Sequence, residues 1–283
     1  MLLIGDILYR GKNDKRIDMK RIQAFEFNEL EITPRFIRDA IIEVLGFGLK
    51  QGRILDSVGP LFMNFLERAN CDHVLDIGSG SGEPASILLN SLIRKGYDPP
   101  VITLSDIIPN FTAMERVKAR HPDKIRIAEY PVDATNVPES VDCPARVIIN
   151  VFHHFPTILA SRILADSVAK GRAVFIVESF KRKIFHFMPL MASLVPALYL
   201  SPFAAKKDKY KKIFFSYFIP LIALCGSWDA AVSFLRTRTR EELMDMAGKL
   251  SGTYSWEFHE APYFPKGLNQ IIMGFPNQSK TGN

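Results

Sequence analysis

The sequence predicts an α/β fold in which a mainly parallel sheet is covered by helices on both faces. Three observations lead to this prediction. Short apolar segments alternate with stretches long enough to form a helix, as in parallel sheets that are buried on both sides. A glycine-rich turn joins the first of these segments to a helical pattern. The chain has 283 residues, of which 47% are hydrophobic and 23% charged, which is enough for a sizeable core.

A helical segment precedes the sheet. Thr33 is a candidate helix cap, Pro34 suits the first helical position, and apolar residues recur at helical spacing as far as about Lys50. Residues 54–69 form a second helical pattern, whereas the charged residues before Thr33 give no assignment. We therefore expect residues 1–70 to form a mostly helical cap.

Seven segments are predicted as strands. They are residues 73–77, 100–104, 125–128, 145–150 and 173–177 and, near the C-terminus, 254–258 and 270–275. Thr239 and Glu242 form a candidate capping box for a helix that ends near Lys249. We expect a core at residues 71–180 that is completed by residues 229–283.

The positive charge of the chain is concentrated in one segment. The net charge is +6, but between residues 181 and 212 eight basic side chains stand against one acid, so this segment carries +7 and the remainder −1. A protein that binds nucleic acid distributes basic residues over a face of its fold. The distribution therefore argues against a nucleic-acid partner.

Residues 181–228 are predicted to form a hydrophobic insertion flanked by basic residues, because residues 184–205 and 213–228 contain no charged side chain. Prolines interrupt the first stretch, and two crossings would put the intervening lysines on the far side of a membrane. An interfacial or re-entrant hairpin at an anionic membrane is therefore the favoured membrane arrangement. The alternative is a buried lid or a dimer interface. In that alternative six apolar side chains pack on protein: Phe214, Phe215, Tyr217, Phe218, Leu221 and Ile222.

The cysteines and the N-terminus predict a cytoplasmic protein, with peripheral membrane contact if the insertion meets lipid. Cys71, Cys143 and Cys225 are widely spaced and odd in number, which is typical neither of a disulfide framework nor of a metal site. Charged residues interrupt the N-terminal segment before a signal-peptide core can form.

The most specific motif is Asp76-Ile77-Gly78-Ser79-Gly80-Ser81-Gly82, which follows an apolar strand. Glycines at this junction allow positive φ and close approach of a ligand to the main chain, and the helix N-terminus that follows offers N–H groups. We therefore expect a nucleotide-like cofactor. A dinucleotide fingerprint is available only in the register of Gly80, Gly82 and Ala85, and it leaves a nicotinamide-dependent oxidoreductase as the alternative.

The pattern Asp-x-Gly-x-Gly-x-Gly after an apolar strand resembles the first motif of class I S-adenosylmethionine (SAM)-dependent methyltransferases. The resemblance implies a Rossmann-like fold with a seven-stranded, mainly parallel sheet, and SAM as the cofactor. It also implies that Asp76 binds the methionine ammonium, directly or through water. The turn of Gly78, Gly80 and Gly82 would pass beneath the methionine part of the cofactor.

Four further positions follow the second and third predicted strands. By the same resemblance, Asp106 would bind both ribose hydroxyls with Ile107 beside it, and the pair Asp133 and Ala134 would contact the adenine. Asn150, at the end of the fourth strand, would lie beside the cofactor. A carboxylate suits two vicinal hydroxyl donors. Open α/β sheets bind ligands at the carboxyl edge, where all these residues are expected.

The same edge supplies candidates for catalysis. His153 and His154 are candidate general bases, because imidazole titrates near neutrality. Neighbouring residues on an extended strand end face opposite ways, so we expect at most one of them to point at the methyl group. Glu178 is a candidate for acceptor binding. No cluster with metal-ligand spacing is found, so no metal is expected.

The expected activity is SAM-dependent methylation of a small hydrophobic or lipid-like acceptor, at oxygen or carbon. The segment Asn150-Val151-Phe152-His153 departs from the Asn/Asp-Pro-Pro-aromatic motif of methyltransferases that act on the amino groups of bases. This departure again lowers the expectation of a nucleic-acid substrate. Besides the oxidoreductase, a non-catalytic membrane-binding module built on a methyltransferase fold remains an alternative.

Overall fold

The chain forms two units in a computed structural model, which describes residues 8–10, 17–183, 209–250, 252–264 and 267–277. The sheet unit contains residues 55–179, 239–263 and 268–283, and the helical unit contains residues 1–54, 180–238 and 264–267. The domain boundaries expected at residues 70, 180 and 228 stay predictions. The whole of the first uncharged stretch of the insertion, residues 184–205, lies outside the described residues, as do Lys206 and Lys207.

Seven of the strands in the described part of the chain form one sheet. The strands are β1 (Leu8–Arg10), β2 (Ile17–Met19), β3 (His73–Ile77), β4 (Val101–Ser105), β5 (Ile125–Ile127), β6 (Ala145–Ile149), β7 (Ala173–Glu178), β8 (Tyr254–Tyr263) and β9 (Gly267–Pro276). The order in the sheet is β5-β4-β3-β6-β7-β9-β8. Strands β3 to β7 pair in parallel, and β9 pairs antiparallel with β7. The prediction of a seven-stranded, mainly parallel sheet is confirmed.

Eight α-helices lie in the described residues. They are α1 (Arg35–Gln51), α2 (Gly59–Arg68), α3 (Glu83–Arg94), α4 (Phe111–Arg120), α5 (Thr157–Ala169), α6 (Lys209–Tyr217), α7 (Leu221–Arg236) and α8 (Arg240–Gly248). The capping box of α8 is confirmed, since Thr239 Oγ1 accepts from the Glu242 N–H and the Glu242 carboxylate accepts from the Thr239 N–H. The prediction for α1 is wrong by one residue, because Pro34 and not Thr33 takes the cap position.

Helices pack on both faces of the sheet, as the sequence predicts. Val174 and Ile176 of β7 lie in an apolar cluster with side chains of α5 and α8. The alternate residue Phe175 points the other way and packs against Phe62 and Phe65 of α2, with ring centroids 5.0 and 5.2 Å apart. Because successive strand residues face opposite sides, the two sets of helices cover opposite faces.

The helical unit is built around α1 and α7. A buried cluster joins Ile37 and Ile41 of α1 to Ile222 and Cys225 of α7. Residues before Thr33, which the sequence left unassigned, include the antiparallel pair β1 and β2 and a 3-10 turn at Phe27–Glu29. In the described part of the chain no single helix is long and apolar enough to cross a bilayer; α6 and α7 reach that length and composition only as a pair bent by 77°.

Candidate functional site

The glycine turn between β3 and α3 has the backbone that the sequence predicts. Gly78, Gly80 and Gly82 have φ of +71°, +55° and +76°, values that side-chain-bearing residues rarely adopt. A Cβ on Gly82 would lie 2.6 Å from Leu104 Cδ1, so this glycine is needed for packing against β4. A Cβ on Gly80 would meet no atom within 4 Å. The backbone of Gly80 therefore borders open space, into which a ligand can fit.

Two serines fasten the turn to the neighbouring strand. The main-chain carbonyl of Asp76 accepts hydrogen bonds from Ser79 Oγ at 2.9 Å and from Ser105 Oγ at 2.7 Å. The Ser79 N–H donates in turn to the Ser105 carbonyl at 2.9 Å. The ends of β3 and β4 are thereby held together, so the turn is positioned by side chains as well as by its glycines.

The carboxyl group of Asp76 is enclosed, with 2% of the residue exposed. Burial, opposed by a hydrogen bond from Ser79 and reinforced by the negative charge of Asp106, raises the pKa of Asp76 to about 7. A positively charged ligand group beside Asp76 would favour its ionised form. The site is therefore suited to a cation.

Asp106 follows β4 and binds the glycine turn directly. Its Oδ2 accepts from the Gly80 N–H at 2.8 Å, and its Oδ1 accepts from the Ile108 N–H at 2.9 Å. A carboxylate oxygen can accept more than one hydrogen bond, so both oxygens keep capacity for further donors. Ile107 beside it is 58% exposed and offers an apolar surface next to this carboxylate.

Asp133 shapes a turn after β5. Its Oδ1 accepts from both the N–H and the Oγ1 hydroxyl of Thr135 at 2.8 Å, as in a side-chain-stabilised turn. The loop is tied to the end of β4, since the Val132 N–H donates to the Asp106 carbonyl at 2.8 Å. Contact of Asp133 and Ala134 with an adenine stays a prediction.

Asn150 at the end of β6 combines a strained backbone with an unpaired donor. Its φ is +55°, which is rare for a residue with a side chain. Its Oδ1 accepts from the Ser179 N–H at 2.7 Å. Nδ2 of Asn150 and Oγ of Ser179 are buried and have no hydrogen-bond partner among the described residues. Strain and unsatisfied donors of this kind are typical of ligand sites.

His153 and Glu178 form a buried pair across the ends of β6 and β7. His153 Nδ1 lies 2.6 Å from Glu178 Oε2, and the His153 N–H donates to Oε1 at 3.0 Å. Both side chains are 4% exposed. With the hydrogen on Nδ1, the ring presents its lone pair at Nε2.

The prediction that the two histidines face opposite ways is wrong. Residues Phe152–His154 form a 3-10 turn and not an extended strand end. The rings of His153 and His154 therefore lie side by side, with centroids 4.3 Å apart. Successive residues of a 3-10 turn do not alternate between two opposite faces, as successive residues of a strand do.

The candidate residues fall into two groups of direct contacts. Asp106 contacts the glycine turn that follows Asp76, and Asn150, His153 and Glu178 are joined at the ends of β6 and β7. Because β3 lies between β4 and β6 and these strands run in parallel, the two groups share the carboxyl edge of the sheet. That edge is where the sequence places the site.

Sequence reasoning missed Ser179 and Tyr263. The Tyr263 hydroxyl donates to the Ser179 carbonyl at 2.6 Å, and burial raises the pKa of Tyr263 to about 12. Ser179 directly follows the β7 residue Glu178, so its position at a strand end was a usable signal. Nothing local to Tyr263 in the sequence indicates its contact with a residue 84 positions away.

No family model matches the sequence, and no curated protein matches it. Similar solved structures include the mitomycin 7-O-methyltransferase MmcR, with 14% identity over 89% of this chain and 61% of that chain and a TM-score of 0.48. The methyltransferase domain of bacterial CtHen1-C has 15% identity over 79% of this chain and 99% of that chain, with a TM-score of 0.47. The O-methyltransferase NcsB1 from neocarzinostatin biosynthesis, solved with SAM and 2-hydroxy-5-methyl naphthoic acid, has 16% identity over 74% of this chain and 50% of that chain, with a TM-score of 0.42. The chain thus spans less than two thirds of MmcR and NcsB1.

Proposed function

We propose that the chain is a SAM-dependent methyltransferase that acts on a small hydrophobic acceptor at oxygen. The observation that carries the proposal is the hydrogen bond between the Asp106 carboxylate and the Gly80 N–H, next to the buried Asp76. One edge of the sheet thereby offers an anion for an ammonium, two carboxylate oxygens for vicinal hydroxyls and open space along Gly80. These residues fit the methionine and ribose parts of SAM.

The sheet favours SAM over a nicotinamide cofactor. In the dinucleotide-binding fold the six strands run in parallel in the order 3-2-1-4-5-6. Here the strand next to β7 is β9, which runs antiparallel to it. The second candidate is a nicotinamide-dependent oxidoreductase in the register of Gly80, Gly82 and Ala85, and the described residues contain no such parallel sixth strand to support it.

The residues at the ends of β6 and β7 suit transfer to a hydroxyl group. When bound, SAM supplies a methyl group on a positively charged sulfur, so an acceptor oxygen requires alignment and loss of its proton. In this proposal His153 takes that proton at Nε2, because Nδ1 donates to Glu178. Glu178 orients the ring and stabilises its protonated form. Asn150 Nδ2 and Ser179 Oγ then hold polar atoms of the ligands, since both lack another partner among the described residues.

The apolar character of the acceptor rests on the uncharged stretches of residues 181–228. A cytoplasmic location and the choice of oxygen over carbon are likewise part of the proposal. Oxygen is favoured because the His153–Glu178 pair provides a base for a hydroxyl group. A non-catalytic module would have no need of this pair.

Labelled methyl transfer tests the function. We expect the protein, incubated with methyl-labelled SAM and a cell extract of lipids and metabolites, to label a product that partitions into organic solvent. An alkali-stable ether or an alkali-labile ester in that product would identify oxygen as the acceptor. Binding of NADH in place of SAM would overturn the proposal in favour of the oxidoreductase. Binding of SAM without any labelled product would favour the non-catalytic module.

SAM affinity is expected to rise with pH up to about 7. Because burial raises the pKa of Asp76 to about 7, its carboxyl is largely protonated in the ligand-free protein below this pH. Only the carboxylate attracts the ammonium. Between pH 5.5 and 7 the SAM affinity should therefore rise, by at most about tenfold per pH unit, and above pH 7 it should level off. Titration calorimetry measures this profile.

Asp76→Asn is the control for the pH profile, since it removes the titrating group and nearly preserves its shape. The variant should bind SAM weakly with an affinity independent of pH over the same range. The stability of the ligand-free protein should change with pH in the opposite direction to the SAM affinity. Between pH 4 and 7 the folded protein keeps the Asp76 proton and the unfolded chain loses it, so the free energy of unfolding falls as pH rises from about 4 to about 7. A wild-type affinity that stays flat across this range would contradict the role of Asp76.

A further inference from the structure

The outward face of α6 is aromatic. Tyr210, Phe214 and Tyr217 are 87%, 45% and 44% exposed, and Phe218, just after the helix, is 76% exposed. Their spacing of four, three and one residues places them on one side of a helix. The rings of Phe214 and Phe218 stack with centroids 5.6 Å apart. The exposed side of α6 is thus a continuous aromatic stripe.

The inward face of α6 carries two polar side chains beside Phe215, which packs on the apolar cluster of α1 and α7 and lies 5.0 Å from Phe36 between ring centroids. Lys212 is 1% exposed, and its Nζ lies 2.6 Å from Glu43 Oε2 of α1. Ser216, one turn later, is fully buried. Turning the aromatic face inward would expose Ser216 and separate Lys212 from its ion-pair partner. Only the lysine end of this ion pair is buried, because the Glu43 side chain is 50% exposed. The ion pair and the inward packing of Phe215 together hold the aromatic stripe outward.

We propose that the outward face of α6 docks on an anionic lipid bilayer, with the helix lying in the plane of the interface. Phenyl and phenol rings are suited to the boundary between headgroups and acyl chains, and a helix of nine residues is too short to cross. Ile219, which is 45% exposed, extends the apolar surface into the connection to α7. The inference draws only on residues of the helical unit and does not rest on the proposed function.

Charge favours anionic lipid over other occupants. Lys209 and Lys211 are exposed at the start of α6 and belong to the basic segment 181–212, in which Arg182 and Lys212 are buried. Anionic headgroups attract such a segment. A second copy of the chain would bring two such segments face to face and repel. The uncharged residues 184–205, which lie outside the described part of the chain, are the remaining alternative occupant.

Sedimentation with vesicles tests the proposal. We expect the protein to bind vesicles of phosphatidylcholine and phosphatidylserine at 3:1, and to bind pure phosphatidylcholine vesicles much more weakly. The double substitution Phe214→Ser with Phe218→Ser should weaken binding at least about tenfold, because two rings no longer enter the interface. Circular dichroism checks that the variant keeps its helices, which is expected since both side chains are exposed.

Phe264→Ser is the matched control, because Phe264 is also aromatic, 85% exposed and part of the helical unit. Its binding to the mixed vesicles should equal that of the wild type. Equal binding by the Phe214/Phe218 variant, or no binding by the wild type, would overturn the proposal. A wild-type dimer in sedimentation velocity that the double variant loses would show instead that a second copy covers the stripe.

Discussion

Replacing Asp106 by alanine is expected to weaken SAM binding at least about a hundredfold. The carboxylate is fixed by the N–H groups of Gly80 and Ile108. In the proposed complex its two oxygens accept from both ribose hydroxyls. A hydrogen bond to a charged group contributes roughly 1.5–3 kcal/mol, so the loss of two corresponds to a factor of 100 or more. Titration calorimetry at pH 7.5 measures the change.

Asp98→Ala is the control for this variant. Asp98 precedes β4 whereas Asp106 follows it, and the Asp98 side chain is 91% exposed in an ion pair with Lys124. Its removal should leave SAM affinity unchanged. Asp106→Ala also deprives two backbone N–H groups of their acceptor, so thermal unfolding must be followed in parallel. A folded Asp106→Ala protein that binds SAM within about threefold of the wild type would contradict the assignment of the ribose site.

His153→Ala is expected to lower kcat for methyl transfer by about 10²–10⁴ while SAM affinity changes less than about threefold. A positioned general base contributes an effect of this size. Two hydrogen bonds join His153 to Glu178, one at ring Nδ1 and one from the main-chain N–H. The role of general base needs no contact between His153 and the glycine turn. Single-turnover rates with labelled SAM and the identified acceptor measure the chemical step.

Two further variants separate catalysis from packing. Glu178→Gln keeps one of the two acceptor oxygens that bind His153 and removes the negative charge, so it should lower kcat by less than His153→Ala does. His259→Ala, in the half-exposed part of β8, should leave kcat unchanged. If His154→Ala lowers kcat and His153→Ala does not, the base is His154, whose ring lies beside that of His153.

The central strands and the glycine turn could be predicted because their signals are local. Strands buried on both faces are uniformly apolar. Gly78, Gly80 and Gly82 indicate the positive φ angles that their turn requires. The length of β9 was underestimated because it begins with polar residues, among them the buried Asn269, which interrupt the apolar pattern. Burial of those residues is decided by neighbouring strands and not by the local sequence.

The position of the candidate residues at the sheet edge could be predicted better than the contacts between them. Asp76, Asp106, Asn150, His153 and Glu178 all lie at the expected edge, because strand ends can be located from hydrophobic patterns. The pairing of His153 with Glu178 could not be predicted, since it depends on a 3-10 turn and on a residue 25 positions away. The positive φ of Asn150 is likewise imposed by tertiary contacts, because asparagine has no strict requirement for it.

The hydrogen bonds of Asp106 have a consequence for the thermodynamics of recognition. Since its two oxygens are already anchored to Gly80 and Ile108, the carboxylate has little rotamer freedom left to lose when a ligand arrives. Immobilising a flexible side chain costs on the order of 0.5–1.5 kcal/mol, and a preorganised one avoids most of that cost. The glycine turn and the acid that follows the next strand thus act as one rigid template, on which affinity depends more on the fit of the ligand than on adjustment of the protein.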